Sequence, residues 1–117
     1  MEEPHDLRIR TKLYALRIIR LFSALPRDTG AQVLGKQVLR SGTSVGAHYR
    51  EAQRAKSNAD FISKIEGGLQ ELEETEYWLE LLSGSGVISE KRLSGLVQEI
   101  EELISIFVSI VKKAKDQ

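Results

Sequence analysis

The stretch from Phe61 to Leu82 constrains the fold of this chain most strongly. Phe61, Ile65, Gly68, Leu72, Thr75, Leu79 and Leu82 follow one another at alternating four- and three-residue steps. An α-helix brings such positions onto one side, whereas a strand alternates its side chains and cannot use the pattern. A helix with one apolar seam must bury that seam against other helices. The remaining question is how many partners the chain itself supplies.

Three more helical segments can be read. In the first, about 7–25, Leu13, Leu16, Ile19 (or Ile18) and Phe22 recur at helical spacing until Pro26 forbids continuation. The second, about 29–55, opens after the N-cap residues Asp28 and Thr29 and carries Leu34, Val38, Ser41, Val45, His48 and Ala52 along one face. Lys56, Ser57 and Asn58 turn the chain into the heptad helix, about 59–83, which Gly84 and Gly86 stop by offering a left-handed backbone. Val87 and Ile88 form a hydrophobic staple and Ser89 an N-cap for the fourth helix, about 89–114. Its stripe reads Leu93, Leu96, Val97, Ile100, Leu103, Ile104, Phe107 and Val111, and Lys112, Lys113 and Lys115 suit the negative helix end. Proline occurs only at positions 4 and 26, outside every helix interior. Short connections make neighbouring helices antiparallel, so residues 1–117 read as a single all-α domain, an antiparallel up-and-down four-helix bundle.

Composition narrows the function classes. With 41% hydrophobic and 29% charged residues, the chain has the makeup of a folded domain and not of a disordered one. The absence of cysteine excludes disulfides and thiolate chemistry and fits a cytoplasmic location. The start of the chain, with Glu2, Glu3 and Asp6, does not resemble a signal peptide. The longest apolar run, Leu103 to Val111, contains two serines and falls far short of the roughly 20 residues that span a bilayer, so no membrane partner is expected.

Net charge is zero, but it is split by sequence half. Through Asn58 there are eleven Lys/Arg against five Asp/Glu; from Ala59 onward the balance is six against twelve. Such a split suits a basic surface for nucleic acid, or a basic half that docks on the acidic half of the next copy.

Folding the second and third helices back about residue 57 sets Arg40 opposite Glu74, Ser44 opposite Glu71, His48 opposite Gly67 and Glu51 opposite Lys64. These seven polar residues (Arg40, Ser44, His48, Glu51, Lys64, Glu71 and Glu74) form a structural seam in which opposite charges meet at both ends. Mid-helix glycines cost roughly 0.5 to 1 kcal/mol each against alanine, so Gly42, Gly46, Gly67 and Gly68 imply close helix approach. If the ion pairs are buried, Arg40→Ala is expected to unfold or disassemble the protein. A ligand site on the seam is the competing reading.

The run Arg40-Ser41-Gly42-Thr43-Ser44-Val45-Gly46-Ala47-His48-Tyr49-Arg50-Glu51-Ala52, followed by Asp60-Phe61-Ile62-Ser63-Lys64 and by Glu71-Leu72-Glu73-Glu74-Thr75-Glu76-Tyr77-Trp78-Leu79, resembles a bacterial four-helix-bundle family. That family is encoded in intervening sequences of large-subunit (23S) ribosomal RNA genes. It is similar to the accessory variability determinant of diversity-generating retroelements, a pentameric, nucleic-acid-binding bundle that partners a reverse transcriptase. The resemblance implies a homopentamer of bundles. The chain departs from the pattern in having His48 where the family usually has asparagine, and in being neutral where the retroelement proteins are strongly basic.

Catalytic signals fail. Gly30 to Gln37 matches phosphate-loop spacing, but Gln37 replaces the hydroxyl residue that holds magnesium, and no strand precedes the run. The two histidines, His5 and His48, do not pair into a metal site within one chain, and Glu71 with Glu74 lacks the histidines of a bundle di-metal motif. No enzyme activity, metal or cofactor is expected. What remains is binding. Arg10, Arg17, Arg20 and Arg27, with Arg50 and Arg54, are the candidates for contacting RNA or DNA through its phosphates. Alternatively, the chain is a homo-oligomeric scaffold for another protein, its basic half docked on Glu66, Glu73, Glu80 and Glu101 of the next copy. Tyr77 and Trp78 are candidates for a helix–helix or subunit contact.

Overall fold

The computed structural model describes residues 4–117, with side chains from Asp6 onward; the expectations placed on Glu2, Glu3 and the His5 side chain lie outside the described residues. Four helices account for nearly all of it: α1 (Pro4–Ser23), α2 (Thr29–Gln53), α3 (Asn58–Gly84) and α4 (Glu90–Lys115). Three begin on the same device, a side-chain oxygen that accepts from the third residue onward: Asp28 from Ala31, Ser57 from Asp60 and Ser89 from Arg92. Each satisfies one backbone N–H that the first helical turn leaves unpaired. α3 ends through Gly86, whose φ of 82° lets Val87 donate back to the Leu82 carbonyl.

Cross-helix contacts fix the directions. α1 runs against α2, with Gly46 beside Thr11, Gly42 beside Ile18 and Gly35 beside Phe22 and Leu25. α2 and α3 are joined by Arg40 to Glu74 at one end and by Glu51 to Lys64 at the other. α3 and α4 are antiparallel through Asn58 to the Ala114 carbonyl (2.8 Å) and Glu66 to Lys115 (3.4 Å). The result is an all-α, antiparallel up-and-down four-helix bundle, 47 × 22 × 20 Å, in which α1 and α4 touch only slightly.

The core follows the expected seams on α3 and α4. Ile65, Gly68, Leu72, Thr75, Leu79 and Leu82 are buried, as are Leu93, Leu96, Ile100, Leu103, Phe107 and Val111. On α2, Val38, Ser41, Val45 and Ala52 are buried, and Tyr49 goes inside where His48 was expected. α1 differs most. Its buried residues are Leu7, Thr11, Tyr14 and Ile18, the last of them expected as the alternative to Ile19, while Leu13, Leu16 and Ile19 are 56%, 39% and 42% exposed. The helix is apolar on two sides, and the side that carries Thr11 and Tyr14 is the one that faces α2 and α4.

Three buried hydroxyls are satisfied without water. Thr11 donates to the Leu7 carbonyl and Ser41 to the Gln37 carbonyl, while Thr75 bridges to the Ser41 hydroxyl at 2.7 Å, linking α3 to α2 through the core. The Tyr14 hydroxyl, buried beside Thr75, has no hydrogen-bond partner of regular geometry, and burial pushes its pKa well above the usual tyrosine range.

Candidate functional site

The α2/α3 seam exists, but as a half-exposed ladder. Arg40 reaches both Glu74 and Glu71, the latter at 3.3 Å, and Lys64 meets Glu51 at 3.5 Å. The Arg40 side chain is 51% exposed, so the pair is not the buried one that would make its loss unfold the protein. Ser44 does not contact Glu71; its hydroxyl turns back to the Arg40 carbonyl at 2.7 Å, as serines within helices commonly do. His48 lies against Gly67, where an added Cβ would sit 2.7 Å from the ring, and its Nε2 stands 3.9 Å from Glu71. Glycine at position 67 thus makes room for the imidazole. With its charged groups matched to one another, this seam works as a fastening, although the His48 Nδ1 is buried with no hydrogen-bond partner among the described residues.

The charge-bearing residues of α1 and α2 divide into two groups. Arg10 is consumed within the protomer, gripping Glu99 with two nitrogens (2.8 and 2.9 Å) and Glu102 at 2.7 Å. That hydrogen bond holds the Glu102 carboxyl below its ordinary pKa. Arg17, Arg20, Arg27, Arg50 and Arg54 form no ion pair with any described carboxylate. Arg50 and Lys12 flank a shallow groove of about 370 Å³ between α1 and α2, floored by Thr11, Ala15 and Gly46. Arg17 and Arg20 lie on the other flank of α1, where Arg92 of α4 joins them around a cleft. Sequence reasoning missed Arg92, because the register of α4 on α1 is not set by any short turn between them.

Two further surfaces stand out. Ile9, Leu13 and Leu16, spaced four and three residues apart, form an exposed apolar stripe on α1. Between α3 and α4 runs a groove of about 650 Å³ with Leu79, Leu93 and Val97 inside and Glu80, Glu90 and Glu101 along it. Near it, partial burial, a hydrogen bond with Glu101 and the charges of Glu101, Glu80 and Glu73 raise the pKa of Glu76. Of the acidic residues expected to meet a neighbouring copy, Glu66 is occupied by Lys115. Tyr77 is 52% exposed, whereas Trp78 is half-buried, its indole N–H donating to Glu74 at 3.3 Å; the two rings are 5.2 Å apart. Tyr77 therefore remains on the surface, and Trp78 braces the seam.

The Gly30–Gln37 run is helical and packed against α1, so it forms no phosphate loop. Among the described residues, no group of three or more His, Asp or Glu side chains is placed to hold a metal ion, and no helix is long and apolar enough to cross a membrane.

Fold and surface together define a helical bundle whose interior is closed by packing and whose charged groups, among the described residues, lie outside the core. Residues 6–109 match the family of 23S rRNA-intervening sequence proteins, and the chain belongs to that family. A solved structure, a protein of unknown function from the S23 ribosomal protein family of Bacteroides thetaiotaomicron, is similar to it at 40% identity and a TM-score of 0.85, covering 91% of this chain and 98% of that one. No curated protein matches.

Proposed function

We propose that this protein acts by binding and not by catalysis, as a self-assembling cytoplasmic adaptor that holds RNA or DNA by its phosphates. One observation carries the reading: among the described residues, the arginines Arg17, Arg20, Arg27, Arg50 and Arg54 of the basic half form no ion pair, while the cations the bundle uses structurally, Arg10, Arg40 and Lys64, are matched. Unmatched guanidinium groups on a neutral protein suit a polyanion, whose counterions are released on binding. Membership in a family named for 23S rRNA intervening sequences is consistent with a nucleic-acid partner. A ring of five copies, the assembly implied by the resemblance, would multiply the basic face.

The test is binding of short RNA and DNA, duplex and single-stranded, at two salt concentrations, with the assembly state followed by light scattering. Micromolar or tighter binding that collapses with added salt, and is lost in Arg50→Glu with Arg54→Glu while the oligomer persists, is the expected result. An oligomer that ignores nucleic acid at low salt overturns it. That outcome favours a second reading, a homo-oligomeric scaffold for another protein, which the exposed Ile9, Leu13 and Leu16 stripe and the acidic α3/α4 groove support.

A further inference from the structure

The α1/α4 seam obeys charge complementarity at one end and violates it at the other. Arg10 is paired with Glu99. Seven residues along α1 comes Arg17, and seven residues back along the antiparallel α4 comes Arg92, so the register that joins an arginine to a glutamate joins an arginine to an arginine two turns later. Arg20 comes to the same place. The three arginines line a cleft of about 540 Å³ between the end of α1 and the start of α4, and none of the residues that line it is acidic. Gly95 keeps it open beside Arg17: a Cβ there would stand 3.5 Å from the Arg17 Nη2. The other walls are apolar, including Leu21, Val87 and Ile88.

Three like charges lining one cleft repel one another, although water reaches the exposed Arg20 and Arg92 and screens part of that repulsion. An anion relieves it. Guanidinium forks match the acceptor oxygens of a phosphate, and a tetrahedral phosphoryl group has enough oxygens for several forks to share.

We infer that the Arg17–Arg20–Arg92 cleft is a phosphate-binding site that takes a phosphoryl group carrying at least two charges, such as a strand's terminal phosphate or a free pyrophosphate. As a seat for a strand's phosphate it rests on the nucleic-acid reading above; as an anion site it stands on the cleft alone. Its position apart from Arg50 and Arg54 means that the two can be lost separately.

The experiment titrates pyrophosphate against the full chain at constant ionic strength in chloride, reading melting temperature and calorimetric binding, for the wild type and for Arg17→Gln and Arg92→Gln. Two variants are used so that a folding defect in one does not decide the matter. Pyrophosphate is expected to raise the wild-type melting temperature saturably. Each variant should stay folded and should bind pyrophosphate about tenfold more weakly than the wild type. A wild type that does not respond, or variants that respond as the wild type does, overturns the site. A parallel arm compares RNA with a 5′-phosphate against the same RNA with a 5′-hydroxyl. Tighter binding of the phosphorylated strand, lost in Arg92→Gln, supports the site and gives the strand as its source; pyrophosphate binding without that preference supports the site with free phosphate as its source. Salt-sensitive RNA binding with no pyrophosphate response leaves the adaptor reading standing and removes the site, whereas a pyrophosphate response in a protein that ignores RNA does the reverse.

Discussion

The α2/α3 and α1/α4 seams are built from the same kinds of residue and do opposite things. Between α2 and α3, glycine admits a neighbour: Gly67 lies beside the His48 ring, Gly68 receives the His48 Cβ and the Phe107 ring, and Thr75 reaches Ser41 across the core. Between α1 and α4, Gly95 lies on the surface and admits nothing closer than Arg17, and beyond the Arg10 pairs the helices part around three arginines. Glycine in a helix interior thus has two meanings. It either permits close packing or keeps space open, and only the identity of the neighbour distinguishes them.

The same substitution at the two seams gives the sharpest test. In Gly68→Ala the added Cβ would lie 2.8 Å from Phe107, a ring with no exposed surface, so the core must shift. Overpacking of this kind costs about 2 kcal/mol, more than the helix propensity that alanine returns, and should lower the melting temperature clearly. Gly95→Ala meets only ordinary contact and gains propensity, so it should stabilise by about 0.5 to 1 kcal/mol in the same denaturation series. Equal effects at the two sites would break the comparison.

Arg40→Ala addresses the half-exposed ladder. With the side chain 51% exposed, its loss should cost about 1 kcal/mol or less by chemical denaturation, with the bundle still folded. Unfolding at room temperature would show that the ladder fastens the bundle as a buried pair does.

The smallest effect is expected at Glu76. Its pKa in the folded protein is raised, so folding favours the protonated form, and the stability gained from that form is lost as pH rises through the folded value. Glu76→Gln should therefore be more stable than the wild type at pH 7, with the difference shrinking as the solution is acidified toward pH 4. A difference independent of pH would place the cause outside the Glu76–Glu101 pair.

How much of this was legible depended on where a short turn lies. The turn at Lys56–Asn58 lets position numbers on α2 and α3 be matched by arithmetic, and Arg40 with Glu74, His48 with Gly67 and Glu51 with Lys64 meet as that arithmetic says. No such turn links α1 to α4, so neither the Arg10–Glu99 pair nor the place of Arg92 could be read. The inner side of α1 was misread for a different reason. Leu13, Leu16 and Ile19 make a better hydrophobic pattern than Leu7, Thr11, Tyr14 and Ile18, and the poorer pattern is the buried one. Thr11 goes inside because its hydroxyl is satisfied within its own helix by Leu7, which periodicity alone does not reveal. The half-exposure of Arg40 was hidden as well, since spacing shows which residues meet but not how much water reaches them.

The order in which helices pack has a kinetic consequence. α1 lies on α2, α2 on α3 and α3 on α4, each pair joined by a short connection, and the principal long-range tie is Arg10 to Glu99, 89 residues apart. Loops that must close before native contacts form are therefore small, and chains of this topology cross their folding barrier in milliseconds or less. The hairpin of α2 and α3 can assemble while α4 is still being synthesised, and the cleft of arginines is among the last features to form, when the start of α4 settles beside the end of α1.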